Sequence, residues 1–257
     1  MNTSQIAEFK LTEYEDLFKE CFPRARMNSE YLKWLYFSNP LGNALGYDAH
    51  VDGYLVSHYA CIPMMVDGTL GLLSLNTATR ARYRGRGLFK ALALQTYENA
   101  DNRYNFVAGV ANHNSISTFT DSLGFKVIGD LNLRYGKLVH SLKDIPFWAP
   151  ENLNWRIQSP RRHFDYKVLS EGLILVKVRP RGWPISLKTV VSLGEFAARE
   201  LEAPTKYGLT LDWSDGNSPK VFLPKSLKPS PLIFILKELK QINLKINSWS
   251  FLNFDAF

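Results

Sequence analysis

Tyr14, Leu17, Phe18 and Cys21 recur at helical spacing, which predicts a helix over about 12–21 that ends before Pro23. Thr12 with Glu15 three residues on has the form of a capping box at its start. Ser29 is the candidate N-cap of a second helix, Glu30 to Phe37, with Tyr31, Leu32, Trp34, Leu35 and Tyr36; Asn39-Pro40-Leu41-Gly42 stops it. Core packing and the lining of a substrate pocket are both open for this aromatic helix. The pattern then changes to extended runs. Gly46–Val51, Tyr54–Val66 and Leu70–Thr79 are separated by Asp52-Gly53 and Asp67-Gly68, which predicts an antiparallel meander. After a basic loop, Arg80–Gly87, a helix is expected from Leu88 to about Ala100. A buried strand follows at Asn105–Ala111, then a short helix at Asn114–Leu123 ending at Gly124, and strands at Phe125–Ile128 and Leu131–Leu138.

Beyond Pro146–Pro150, the expected domain boundary, Tyr166–Ser170 and Leu173–Val178 form a hairpin pattern across Glu171-Gly172. Leu193–Leu201 and Leu232–Gln241 read as helices, and Leu209–Trp213 and Ser248–Asn253 as strands. The expected division is therefore 1–146 and 147–257.

Composition narrows the class. With 46% hydrophobic and 21% charged residues, the 257-residue chain is ordinary for a globular protein. Its longest apolar run, Leu232–Leu236, is far short of the roughly 20 residues that span a bilayer. The N-terminus lacks a signal-peptide pattern, and two cysteines are too few for a disulfide framework. A cytoplasmic protein with no membrane partner is the expectation. The net charge of +7 divides as +1 over residues 1–140 and +6 over 141–257. A basic half suits nucleic acid or a phosphorylated small substrate. No nucleic-acid-binding signature accompanies it, so no nucleic-acid partner is expected. No His/Cys/Asp cluster has metal-ligand spacing, and no metal is expected.

The stretch from Leu75 to Phe89 carries the chemistry. A strand enters a glycine loop and the loop opens a helix. Unpaired N–H groups at the positive end of a helix dipole, approached through glycine, suit a pyrophosphate. The loop is not a P-loop, since no Gly-Lys-Ser/Thr follows, and it lacks the Gly-x-Gly-x-x-Gly of a dinucleotide site.

This stretch resembles the pyrophosphate loop of the GNAT superfamily, the acetyl-CoA-dependent N-acyltransferases, which reads Arg/Gln-x-x-Gly-x-Gly/Ala. Both Arg82–Gly87 and Arg84–Phe89 fit; the second is preferred because Leu88 then begins the helix, although it places Phe89 where Gly or Ala is usual. The order helix, helix, three antiparallel strands, loop, helix, strand, helix is the family's order. Asn112-His113-Asn114 followed by Leu123-Gly124-Phe125 is similar to its second signature. Trp34 with Asn39-Pro40 and Gly42 resembles a subgroup from bacterial surface-polysaccharide clusters.

The resemblance implies an α/β fold with a mixed, largely antiparallel sheet flanked by helices, and a second α/β half for which a degenerate GNAT-like unit is one reading. It implies N-acetyl transfer from acetyl-CoA to a small-molecule primary amine, with an amino-sugar or nucleotide-linked amino-sugar as acceptor. A non-catalytic module binding acyl-CoA or a nucleotide is the alternative. Thr77, Ala78 and Thr79 would pair with pantetheine, the backbone of Arg84, Gly85, Arg86, Gly87, Leu88 and Phe89 would hold the pyrophosphate, and Asn114 would bond the pantetheine arm. The family's usual acid, a Tyr five residues before the Phe of Leu-Gly-Phe, is Thr120 here, a poor acid.

The proton-transfer role therefore stays open. His113 and His58 are the candidate catalytic residues, since imidazole titrates near neutrality; a loop histidine without a role and a hydrogen-bonded strand histidine are the respective alternatives. Cys61 is read as a core residue rather than an acyl-carrying nucleophile. In the basic half, Arg161 and Arg162 are the candidate acceptor-binding residues, among Arg156, Lys167, Arg179 and Arg181.

Overall fold

The computed structural model describes residues 2–66, 68–100, 102–139, 145–170, 172–180, 183, 185–193, 206–214, 220–224, 231–242, 244, 246 and 248–254. The expected helix at 193–201, the turn residues Asp67 and Glu171, and Arg181 fall wholly or mostly outside them. The chain forms two compact units, 1–128 with 235–243, and 129–234 with 244–257. The Pro146–Pro150 segment lies within the second.

The first unit is built on a sheet whose early strands are β1 (Asn2–Gln5), β2 (Leu45–Val51), β3 (Tyr54–Val66) and β4 (Thr69–Thr79). They pair antiparallel in chain order, as the turn chemistry predicts; β1 went unread because its four residues are polar and mostly exposed. Next comes β5 (Phe106–Ala111), parallel to β4, and at the far edge β6 (Lys126–Asp130). Helices cover both faces. On one lie α1 (Leu11–Cys21) and α2 (Ser29–Phe37), burying Tyr14, Leu17, Phe18, Tyr31, Leu32, Leu35 and Tyr36. On the other lies α3 (Leu88–Glu98), burying Leu88, Leu92, Ala93 and Thr96. Strand alternation accounts for the two faces: His58 of β3 contacts Tyr14, Phe18 and Tyr36, whereas Tyr59 contacts Phe89 and Tyr97.

Local details differ from the sequence reading. Thr12 lies inside α1, whose N-cap is Lys10 without a side-chain cap. Glu15 does not cap its own helix; its carboxylate accepts from the N–H and hydroxyl of Ser29, at 2.8 and 2.7 Å. The N-cap of α2 is Asn28, one residue before the expected Ser29, and its Oδ1 accepts from the Tyr31 N–H at 3.0 Å. The expected helix at 114–123 begins at Ile116, after a turn over His113–Ser115, and takes π-helical geometry over Thr118–Ser122 before ending at Leu123.

The second sheet contains β7 (Asn132–Lys137), β8 (Phe164–Ser170), β9 (Leu173–Val178), β10 (Leu187–Ser192), β11 (Tyr207–Ser214) and β12 (Val221–Phe222), in the order β12-β7-β11-β10-β9-β8. A helix, α4 (Pro150–Ile157), precedes β8, and β14 (Ser248–Ser250) pairs with β11. As in the first sheet, three antiparallel strands are followed by a parallel partner, β10 with β11.

One strand overturns the sequence reading. Residues 232–241 were expected to form a helix; they form β13 (Ile233–Glu238), placed between β5 and β6 in the first sheet. Leu232, Phe234, Ile235 and Leu236 are all buried, as suits a strand enclosed on both faces. Periodicity alone does not separate such a run from a buried helix. In the second sheet β7 occupies the corresponding place, between β11 and β12. β13, from late in the chain, thus completes the sheet of the early strands, whereas β7, which directly follows β6, joins the second sheet.

Candidate active site

The parallel pairing of β4 and β5 places their C-terminal ends at the same end of the sheet. Two chemically distinctive segments leave from there: the loop 80–87 after β4 and the turn 112–115 after β5. The β4–β5 register runs only from Leu72↔Val107 to Ser74↔Gly109, so beyond Ser74 the edge of β4 toward β5 has no strand partner among the described residues. Thr77, Ala78 and Thr79 lie on this stretch. Their other edge is held by β3, through Ser57↔Thr79 and His58↔Ala78. The Ser57 hydroxyl lies 2.8 Å from Thr79 Oγ1.

The loop starts with a short 3-10 turn, Ala81–Tyr83. Gly85 and Gly87 follow at φ +74° and +72°, the left-handed region, and a Cβ added to either would meet nothing within 4 Å. Gly87 is the N-cap of α3; it provides no side-chain cap, and the first turn holds no acidic residue. The first-turn N–H groups thus face an open approach at the positive end of the helix dipole. The four arginines divide. Arg80 is tied to Glu20 and to the Leu55 carbonyl, and Arg84 donates to the Thr79 carbonyl at 3.0 Å. Arg82 and Arg86 pack over the Tyr83 ring, at 4.8 and 5.1 Å from its centroid. Leu88 is buried, and Phe89 packs against Tyr59 and Phe119, with centroids 5.6 and 5.1 Å away. An aromatic pocket thus accommodates Phe89 at the start of α3.

The turn after β5 is exposed at Asn112, His113 and Asn114, and Asn112 Oδ1 accepts from the Asn114 N–H at 2.9 Å. Thr120 Oγ1 lies within reach of Asp121 Oδ1, at 2.7 Å, and of the Ile116 carbonyl, at 3.1 Å.

His58 is far from such exposure. It is completely buried, and both ring nitrogens are engaged: Nδ1 lies 2.7 Å from Asp48 Oδ1 and Nε2 lies 3.0 Å from the Tyr36 hydroxyl. The second oxygen of Asp48 accepts from the Tyr14 hydroxyl at 2.9 Å and the Lys10 ammonium at 3.2 Å. Tyr36 in turn accepts from Asn76 Nδ2 at 3.0 Å. Burial pushes the Asp48 carboxyl up, but hydrogen bonds from His58 and Tyr14 and the charges of His58 and Lys10 outweigh it and hold it below the usual range. Burial raises the Tyr14 and Tyr36 hydroxyls, and both stay protonated at neutral pH. The Cys61 thiol is buried, donates to the Tyr59 hydroxyl and is pushed up by burial to about 12, so it is no thiolate nucleophile at neutral pH.

No family model matches the sequence, and no curated protein matches it. Solved structures with partial similarity include an aminoglycoside 6'-acetyltransferase type Ii, 18% identical over 51% of this chain and 87% of that one, with a TM-score of 0.43. A GNAT family N-acetyltransferase from Escherichia coli, solved with CoA, is 18% identical over 49% and 68%, at 0.42. A glucosamine N-acetyltransferase region of a fungal multi-domain β-N-acetylglucosaminidase is 13% identical over 66% and 21%, at 0.45.

The structure thus brings the glycine loop, the open edge of β4 and the Asn112–Asn114 turn to one end of one sheet, and keeps His58 in the core. Arg161 and Arg162 belong to the second unit, beside Arg156. Arg156 is buried and donates to the Leu252 and Phe254 carbonyls at 3.0 and 2.7 Å. Burial, with the neighbouring guanidinium of Arg161, brings Arg156 down to about 10; burial with both neighbours brings Arg162 to about 9. Sequence reasoning missed Lys10, Tyr14, Tyr36, Asp48 and Asn76. A signal for one of them existed: the Asp52-Gly53 turn brings Asp48 opposite His58 in the β2–β3 register.

Proposed function

We propose that the first unit is an N-acyltransferase of the GNAT type, moving an acetyl group from acetyl-CoA to a primary amine. The observation that carries this reading is the conjunction of an uncapped helix start behind two left-handed glycines with an adjacent open strand edge. The diphosphate of CoA would lie on the backbone of Arg84 to Phe89, where N–H groups and the helix dipole favour an anion. Pantetheine would add along Thr77, Ala78 and Thr79, as an extended group adds to an open sheet edge. Asn114 would bond the same arm.

In the reaction, the free amine attacks the thioester carbonyl, a β4 backbone N–H stabilises the oxyanion, and the C–S bond breaks with the electron pair leaving on CoA sulfur. His113, exposed at the end of β5, takes a proton from the substrate ammonium. His58, with both nitrogens engaged, acts through its neighbours. The acceptor is proposed to be an amino-sugar, phosphorylated or nucleotide-linked, on the strength of the polysaccharide-cluster motif at Trp34–Gly42 and the arginines of the second unit.

Calorimetric titration with CoA, and thiol release from acetyl-CoA with glucosamine and glucosamine 6-phosphate, test the proposal. Binding and amine-dependent release are expected. His113→Ala should lower turnover by about 10²–10⁴-fold with an unchanged melting temperature, whereas His58→Ala should chiefly lower the melting temperature. Absence of CoA binding overturns the reading; binding without turnover makes the unit a sensing module.

A further inference from the structure

Asn76 stands in β4 at φ +52°, left-handed for a residue with a side chain. The β3–β4 register explains why: His58 pairs with Ala78 and Ala60 with Leu75, so Asn76 and Thr77 both oppose Tyr59 in a bulge. Asparagine tolerates this conformation better than most residues, but a strand does not otherwise ask for it. The side chain of Asn76 is not idle there, since its Nδ2 donates to the buried Tyr36 hydroxyl.

The contacts behind that bond converge on Asp48. Its carboxylate accepts on Oδ1 from His58 Nδ1–H and on Oδ2 from Tyr14 and Lys10. His58 Nε2 meets the Tyr36 hydroxyl, and because an amide nitrogen only donates, the Tyr36 oxygen accepts from Asn76 whichever way the His58–Tyr36 bond runs. The network thus connects the half-buried bulge residue to a carboxylate with no exposed surface.

We propose that Asn76, through Tyr36, His58 and Asp48, is a positioning residue that locks the β4 bulge and so aims its backbone at the thioester carbonyl. The proposal rests on the acyltransferase reading. Asn76 acts by conformation and Tyr36 as its anchor; neither exchanges a proton with substrate. The bulge directly precedes Thr77–Thr79, where that reading seats pantetheine. A shift of about 1 Å there is enough to cost on the order of 10²-fold in rate.

The test compares Asn76→Gly, Asn76→Ala and Tyr36→Phe, using acetyl-CoA and the better acceptor of glucosamine and glucosamine 6-phosphate. Glycine takes the bulge φ without strain but loses the anchor; alanine loses both. The expected order of kcat is wild type, then Asn76→Gly, then Asn76→Ala, the last down about 10²-fold. Tyr36→Phe should fall beside Asn76→Gly, and KM for acetyl-CoA should change by less than about threefold throughout. Hydrogen exchange at residues 76–79 should quicken in all three variants. If Ala and Gly are equal, or if the loss appears in KM alone, the inference is overturned while the acyltransferase reading stands. A wild-type chain with neither CoA affinity nor thiol release overturns both.

Discussion

The two sheets repeat one plan and diverge at one connection. In each, an antiparallel meander, β2-β3-β4 or β8-β9-β10, is followed by a parallel strand, β5 or β11, and then by a strand out of chain order, β13 or β7. Between β4 and β5 lie residues 80–105, with two left-handed glycines, five arginines and α3. Between β10 and β11 lie only residues 193–206, with one glycine, Gly194, and one arginine. The second connection is shorter and its sequence lacks the paired glycines of the first. A shared sheet plan therefore does not imply a shared site; the proposed site belongs to the connection after the third meander strand of the first sheet.

The buried carboxylates sharpen the contrast. Asp48 in β2 is satisfied by Lys10, Tyr14 and His58, and its network reaches out to the bulge at Asn76. Asp212 in β11 is satisfied by Arg134 of β7, with Nε 2.5 Å away, and by Lys220 at 2.9 Å. That group ties the inserted strand β7 to its neighbour β11, with which it pairs from Asn132↔Asp212 to Lys137↔Tyr207.

The largest effect expected from this comparison is at Gly87. Gly87→Glu puts a carboxylate at the helix start and a side chain at φ +72°, and CoA binding should be lost from a folded protein. Gly87→Ala keeps the strain without the charge and should weaken binding only several-fold, about 1–2 kcal/mol. Gly194→Glu should leave CoA affinity as it was. Calorimetry on the three, with circular dichroism to confirm folding, would break the comparison if Gly194→Glu were the damaging variant.

Next come the carboxylates. Asp48→Asn and Asp212→Asn should each destabilise by about 3–5 kcal/mol, because each leaves a buried cation or donor without its partner. The acid response should separate wild type from Asp48→Asn. A carboxyl held below its unfolded value, near 3.9, contributes fully above that pH and loses its contribution as pH falls through the lower folded value. Denaturant unfolding from pH 6 to pH 2 should therefore be steeper in wild type than in Asp48→Asn below about pH 4. Equal slopes would mean that the Asp48 network holds no proton-linked stability.

A smaller effect is expected at Arg161 and Arg162. Their joint change to Gln should raise the KM of a phosphorylated acceptor about tenfold, as for loss of one charge-assisted contact, and leave CoA affinity nearly intact. Weaker CoA binding instead, or no change in either constant, would show that this pair does not select the acceptor.

Much of the first unit was legible in the sequence. Asp52-Gly53, hydrophobic alternation and the glycine pair define the meander, the loop and the start of α3 within a residue or two, because turns and amphipathic periods are local properties. What resisted reading was non-local. Thr12 and Glu15 have the form of a cap, yet Glu15 bonds Ser29, and no local rule ranks that partner higher. Leu232–Leu236 is apolar at every position, so its local pattern fits helix and strand alike; the gap between β5 and β6 made it a strand. The buried site network is the same case. His58 was visible as a histidine in a strand, but its engagement by Asp48 and Tyr36 depends on a hairpin register and on a helix from twenty-two residues earlier in the chain. The sequence by itself determined most elements of the first unit and the glycine positions of the loop, since backbone propensity and glycine placement act over a few residues. Tertiary structure alone decided which strand completes each sheet and which histidine is buried, since both depend on surfaces that meet only once the chain has folded.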